Sequence, residues 1–432
     1  MAPVPDFAAH RARLQAELSE DEAVLVFGGP HHLRNGDAEY RYRPDSDVYW
    51  LTGWPDPHVA VFVTKGTVTM FVEPKDPERE TWTGFRPGPE GAVATYGADA
   101  AHPWDTLESE LPNLLSGITT LHHDFAVDAE HDALIMSSIA RARRKGRFLG
   151  IAVPETFHSL TRLLHELRLV KGEDELEVMR HAARVSAEAH VAAMRLAAPG
   201  VPEYAVEAEL LRVFHQEGST GPGYTSIVAA GANATVLHYV TNRNTLEDGQ
   251  LLLIDAGCEM AHYTADITRT FPVGGRFTPA QRAVYDVVLR AQRKAIDACR
   301  PGRTFAEVHD AAVRALTEGM VKLGLLVGEV DELIADESYK KYYMHGTSHW
   351  LGLDVHDVGV YGRDNAVRVL GPDMVLTVEP GLYITADDED APADYRGIGV
   401  RIEDDIRVTD GDPEVLTAAV PKHPDEIATL LA

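Results

Sequence analysis

The sequence predicts a mixed α/β protein (α+β in its overall layout), with an N-terminal α/β domain over residues 1–170 and a larger C-terminal domain over residues 171–432. Three observations carry this. Short apolar β-like runs alternate with helical stretches up to about residue 170. At Val170-Lys171-Gly172 the pattern changes to long amphipathic helices. Within the second part, a helix-helix-strand order returns about a hundred residues after its first appearance.

In the first domain AVLVF (23–27), HVAVFVT (58–64) and VTMFV (68–72) read as strands, punctuated by glycines and prolines. A long helix then opens at Glu173 and runs to about Ala198, with an acidic first turn that suits the positive end of a helix dipole. Ala198-Pro199-Gly200 ends it, a second helix spans Glu203 to Gln216, and Glu217-Gly218 closes that one. The same order recurs. Thr278 caps a helix with Pro279 at its first position, Arg300-Pro301-Gly302 ends it, and a helix from Phe305 to about Thr317 is closed by Glu318-Gly319. A duplicated unit with pseudo-twofold symmetry leaves a cleft between its halves. Two unrelated helical hairpins with common Pro-Gly punctuation are the plain alternative.

Composition excludes several functions. At 432 residues, 45% hydrophobic and 25% charged, the chain is an ordinary globular one. Forty Lys and Arg against 67 Asp and Glu leave a formal charge of -27, which argues against nucleic acid as a partner because phosphate binding depends on Lys and Arg. The N-terminus MAPVPDFAAHRARLQAEL lacks the apolar core of a signal peptide, and no run approaches the ~20 apolar residues of a membrane span. A cytoplasmic protein with no membrane partner is the expectation. Cys258 and Cys299 stand in no metal-binding spacing and read as buried thiols.

The segment His345 to Asp357, HGTSHWLGLDVHD, packs three histidines, two aspartates and two glycines into thirteen residues. Gly346 and Gly352 argue against a helix interior, where each costs about 1 kcal/mol relative to Ala. Loop and strand around a polar cavity is the better reading, with a His-rich surface turn as the plain one. Asp255 ends the apolar run Leu251 to Ile254, and Asp266 lies on a following strand, so an antiparallel hairpin brings both to one face. Like charges so placed repel, and a bound cation removes that penalty; the alternative is that each Asp caps a turn. Glu379 follows the apolar strand 374–378 just before Pro380-Gly381. In VRIEDDIRV a period of two puts Arg401, Glu403 and Asp405 on one face. Four carboxylates with one imidazole and no thiolate suit Mn(II), with Co(II), Fe(II) or Zn(II) as substitutes. Four are too many for one ion with an open position, whereas two ions about 3.5–4 Å apart use them fully.

HGTSHWLGLDVHD, the aspartates of LLLIDAG and TADITRTFPV, EPGLYI (379–384) and VRIEDD together resemble the pita-bread metallopeptidases, and within that fold the Xaa-Pro aminopeptidase (aminopeptidase P) family. RNGDAEYRYRPDSDVYWLTGW (34–54) resembles that family's creatinase-like N-terminal domain, so the resemblance spans nearly the whole chain. It implies Asp255, Asp266, His349, Glu379 and Glu403 as ligands of two divalent ions. It also implies cleavage of peptides with proline second, by attack of a metal-bridging hydroxide on the carbonyl before proline. His238, in the strand-like ATVLHYVTN, with His345 and His356, matches histidines that contact substrate; from the residues alone, His238 reads as a packed core histidine. Tyr383 and Arg401 match groups that orient the metal carboxylates, and Arg401 borders the substrate as well. Glu379 is the candidate proton shuttle to the leaving nitrogen. Asp37 and Trp82 match residues reaching a neighbouring subunit's site, in a family of dimers and tetramers. Three alternatives stay open: a prolidase, a creatinase-like amidinohydrolase, which lacks the ligands, and a non-catalytic pita-bread peptide-binding module. The run ADDEDAPAD (386–394) reads as a solvated loop.

Overall fold

The structure is a computed structural model and describes residues 3–432. It divides into two compact units, Pro5–Arg168 and Leu169–Ala432. Among the described residues no helix is long and apolar enough to cross a membrane.

The first unit is built on a six-stranded mixed sheet in the spatial order Ala100–Pro103, Val68–Val72, Val59–Thr64, Glu22–Gly28, Thr120–His122, Thr156–His158. The three strands read from the sequence are its centre, paired antiparallel, and parallel strands flank them on both sides. Val59–Val63 is buried without alternation, as a strand covered on both faces must be. One face packs Leu25, Phe62, Phe71 and Leu121 against Leu111, Ile135 and Ile139. In the 34–54 segment Asp45 caps the helix Ser46–Thr52, and Asp47 holds Arg168 at 2.7 Å and His165 at 3.0 Å. Burial works against the Asp47 carboxylate, but those two partners win and hold it at about 2.

The second unit carries the repeat. Helices Glu173–Leu196 and Glu203–Gln216 lead into the antiparallel sheet of Ile227–Ala230, Leu251–Asp255 and Thr268–Pro272. Helices Pro279–Ala298 and Phe305–Lys322 lead into Val375–Val378 paired with Asp404–Arg407, and Gly381–Ile384 paired with Ile398–Arg401. Reciprocal capping boxes start both later helices: Thr278 with Gln281, and Thr304 with Glu307. Cys258 and Cys299 are free thiols that burial pushes up to about 12.

Three local expectations change. Gly319 does not end its helix, which continues to Lys322; the stop is Gly324, at φ +72. Gly319 is instead a point of close helix packing, since a Cβ there would lie 2.2 Å from Val287 Cγ1. VRIEDDIRV is not one strand. It breaks at Ile402-Glu403, so that 398–401 and 404–407 join different sheets. His238 sits in a turn after the short helix Gly231–Thr235 rather than in a strand.

Gly319→Ala is a direct test of the packing. A helical Ala is favoured by up to about 1 kcal/mol over Gly, but overpacking costs about 1–3 kcal/mol. A net loss of stability in chemical denaturation is expected, and a gain would mean that Val287 yields.

Candidate metal centre

Asp255 is the last residue of its strand and pairs in register with Thr268, the first residue of the neighbouring strand; Asp266 lies not on a strand, as the sequence suggests, but in the link two residues before Thr268. Both are nearly buried, and the Tyr224 hydroxyl lies 2.7 Å from Asp255 Oδ1 and 2.5 Å from Asp266 Oδ1. A hydroxyl has one proton, so it donates to only one of two ionised carboxylates. Two carboxylates this close to one hydroxyl need a further positive charge or a proton between them.

The second half supplies the rest. The chain from His345 to Gly352 runs beside strand Val375–Val378: Leu351 donates to the Val375 carbonyl, Thr377 to the His349 carbonyl and Glu379 to the Thr347 carbonyl, at 2.8–3.1 Å. This irregular strand edge sets His349 and Glu379 side by side, with His349 Nε2 3.4 Å from Asp266 and 3.5 Å from Glu379. His349 Nδ1 faces the Trp350 carbonyl at 3.0 Å, which leaves Nε2 turned to the carboxylates. Glu403 sits at the strand break, its N–H donating to the Thr268 carbonyl across the halves and its carboxylate accepting from the Thr268 hydroxyl at 2.6 Å. Ligand atoms of Asp266, His349 and Glu403 all lie within 4.8 Å of one another.

Electrostatics shows what this arrangement costs. Burial, then the other carboxylates, push Glu403 well above the usual carboxylate range, and burial lifts Glu379 to about 8. Asp255 is raised by burial against the pull of Arg401. Burial disfavours a charged His349, yet its contact with Asp266 wins and lifts the imidazole to about 9. The His349 proton does here part of what a cation does: it compensates Asp266, which is lowered despite burial. Three buried carboxylates and the partly exposed Glu379 face one guanidinium and one imidazole, so the donor set fits divalent cations.

Arg401, 4% exposed, ties the cluster together. Its guanidinium donates to Asp255, to the Thr268 hydroxyl at 3.1 Å and to the Tyr383 hydroxyl at 3.2 Å, and Tyr383 in turn meets His345 Nε2 at 2.8 Å. Burial first, and Arg401 second, push His345 down to about 4. His356 packs edge-on against His349 with ring centres 4.5 Å apart. Two cavities of about 280 and 310 Å³ share Asp255, His349, Glu379, His238 and His356. The first adds Ile227, Val240 and Val355; the second adds Leu237, His345 and Ser348. Ten of the twelve residues singled out from the sequence therefore gather here. Asp37 and Trp82 stand exposed in the other unit.

Sequence reasoning missed three groups. Tyr224, in GPGYTS, has no periodic or spacing signal. Asp405 accepts the Asp266 N–H at 3.1 Å, and Thr268 links Arg401 to Glu403. Their alternation with named ligands in DITRT and RIEDD was the available clue. Asp357, left without a ligand role, pairs with Lys171 at 2.9 Å in a fully buried contact; a Cβ on Gly352 would meet Asp357 Oδ2 at 2.1 Å.

Comparison with known proteins decides the family. The model of metallopeptidase family M24 matches residues 177–410, and that of the aminopeptidase P N-terminal domain matches residues 7–122. The chain belongs to metallopeptidase family M24. An Xaa-Pro aminopeptidase of Escherichia coli (strain K12) is 42% identical over 431 residues, 99% of this chain and 97% of the relative. Human Xaa-Pro aminopeptidase 3 is 32% identical over 426 residues, 96% and 81% of the two chains. Among solved structures, Pseudomonas aeruginosa aminopeptidase PepP matches with a TM-score of 0.96 at 46% identity, covering 100% of this chain and 99% of that one. E. coli aminopeptidase P with the inhibitor Pro-Leu matches at 0.93 and 42%, covering 98% and 97%.

Behind this M24 centre, Asp404 points the other way. Fully buried, it accepts from Arg269 at 2.8 Å, Thr417 at 2.7 Å, and Gln292 and Lys422 at 2.5 Å. Burial opposes its charge, but Arg269 and Lys422 hold the carboxyl well below the usual range. Asp404→Ala is expected to cost about 3–5 kcal/mol of stability in denaturant titration, because it strands buried cations. With a folded value depressed below the unfolded ~3.9, that contribution is complete above this pH and is lost as the pH falls further, so parent and variant converge in acid.

Proposed function

We propose that the chain is a metal-dependent aminopeptidase that removes the first residue from peptides with proline second. The observation that carries this is the meeting of two cavities at one carboxylate-rich donor set, which the reading assigns to the two parts of a bound peptide. Asp255, Asp266, His349, Glu379 and Glu403 hold two divalent ions, Mn(II) before Co(II), Fe(II) or Zn(II), on the strength of oxygen-rich ligation with one imidazole. Bound there, the ions supply polarisation of the scissile carbonyl and a water activated for attack near neutral pH.

The chain's own residues do the rest. The carboxylates favour the substrate's α-ammonium group, and the cavity with Ile227, Val240 and Val355 receives the first side chain. His238, His345 and His356 border the peptide group and hydrogen-bond it, stabilising charge that builds on its oxygen. Arg401 and Tyr383 hold Asp255 and His345 in place. The prolyl nitrogen carries no hydrogen, so its departure as an amine requires a delivered proton. Glu379, with its oxygens facing His349 and His345 at 3.5 and 3.8 Å, is placed to carry it. The relative solved with Pro-Leu supports the reading, because Pro-Leu is what Xaa-Pro-Leu leaves behind. The same reading includes a cytoplasmic homo-oligomer, in which exposed Asp37 and Trp82 reach a neighbouring copy.

Mass spectrometry of products from the Mn(II)-loaded protein with Ala-Pro-Leu tests this. Alanine and Pro-Leu are expected, with the dipeptide Ala-Pro cut far more slowly; preference for Ala-Pro would make the protein a prolidase. Glu379→Gln should keep its fold by circular dichroism and lose turnover by about 10²- to 10⁴-fold. A variant with most of its turnover removes Glu379 from the proton's path.

A further inference from the structure

Under the cavity lies a three-way contact that the roles above do not use. Thr347 is 1% exposed. Its hydroxyl is 2.9 Å from His309 Nδ1, on the helix Phe305–Lys322, and 2.7 Å from the Tyr343 hydroxyl. Its carbonyl accepts the Glu379 N–H at 2.8 Å. One residue thus joins a helix of the second repeat, the entrance of the histidine segment and the backbone of Glu379.

The contacts continue toward the substrate side. The Tyr343 ring packs edge-on against His345 with centres 4.8 Å apart, and His345 goes on to Tyr383 and Arg401. Gly346, beside Thr347, offers no side-chain packing of its own, so the Thr347 hydroxyl adds a side-chain anchor to the backbone hydrogen bonds that hold the segment between His345 and His349. A threonine hydroxyl has one proton and two lone pairs, which two partners use well. Valine has nearly the same shape and satisfies neither.

We propose that Thr347 is a positioning residue for peptide hydrolysis, its hydroxyl clamped by His309 and Tyr343 so that the Glu379 backbone and the His345 ring keep their productive placement. The proposal rests on the hydrolase reading above. A displacement of about 1 Å at reacting groups costs on the order of 10²-fold in rate, so a lost clamp is expected to appear in turnover rather than in substrate affinity.

The test compares parent, Thr347→Val, Thr347→Ser and Tyr343→Phe as Mn(II)-loaded enzymes on Ala-Pro-Leu, with metal content and melting temperature measured on each. Thr347→Val is expected to lose about 10- to 100-fold in kcat with KM within about twofold and parental metal content, and Thr347→Ser to recover most of kcat. Should Thr347→Val not fold, Tyr343→Phe, which removes one arm of the clamp, is expected to show a smaller loss of the same kind. The proposal is overturned if the folded variant keeps its kcat, if its loss tracks lost metal, or if serine restores nothing. A parent with no activity on the peptide would count against the hydrolase reading itself, whereas an active parent with an equally active Thr347→Val removes only the clamp.

Discussion

Everything at the centre of this protein is arranged around the cost of burying like charge. Asp255, Asp266 and Glu403 are each under a tenth exposed, and Asp404 and Asp405 follow Glu403 directly in the chain. Removing a carboxylate from water costs several kcal/mol unless something repays it. Each acid here has a different answer. Asp404 turns to Arg269 and Lys422, Asp405 to the Asp266 N–H, and Asp255 to Arg401. Glu379 has only the His349 imidazole, 3.5 Å away and shared with Asp266, and burial still lifts its carboxyl to about 8, while burial and the neighbouring carboxylates push Glu403 well above the usual range. That remaining uncompensated charge is what fits this donor set to divalent cations.

The strand break at Ile402-Glu403 is what lets three consecutive acids face different surroundings. A continuous strand would carry Glu403 in the ladder with its neighbours. Here the chain leaves one sheet at Arg401 and enters another at Asp404, so the Glu403 N–H pairs with Thr268 of the first repeat instead. The duplicated halves are therefore joined at the proposed metal ligands, through Thr268, Thr270 and Arg401. Precision follows from that: donors set by sheet backbone move less than donors set on loops.

Much of this was legible in the sequence because it is written in local patterns. The long helices, Thr278 and Pro279 at a helix start, and the strand 68–72 all follow from periodicity and capping. The ten site residues came from ligand chemistry and a family resemblance spread along the chain. What escaped was decided by tertiary contact. Gly319 looks like a stop until Val287 is seen against it, and Gly324 is the true one. VRIEDDIRV has the alternation of a strand, which survives in Arg401 and Asp405 turning toward Asp255 and Asp266 and Asp404 turning away, yet nothing local marks the break. Tyr224 and Thr347 have no pattern at all; they matter because of what other segments bring to their hydroxyls.

The most direct measurement is anomalous diffraction at the manganese edge from crystals of the Mn(II)-loaded protein. The account requires anomalous peaks among Asp255, Asp266, His349, Glu379 and Glu403, each within about 2.0–2.3 Å of carboxylate oxygen or imidazole nitrogen. Crystals grown with saturating Mn(II) that show no peak in this cluster, with the five side chains placed as they are here, would contradict it.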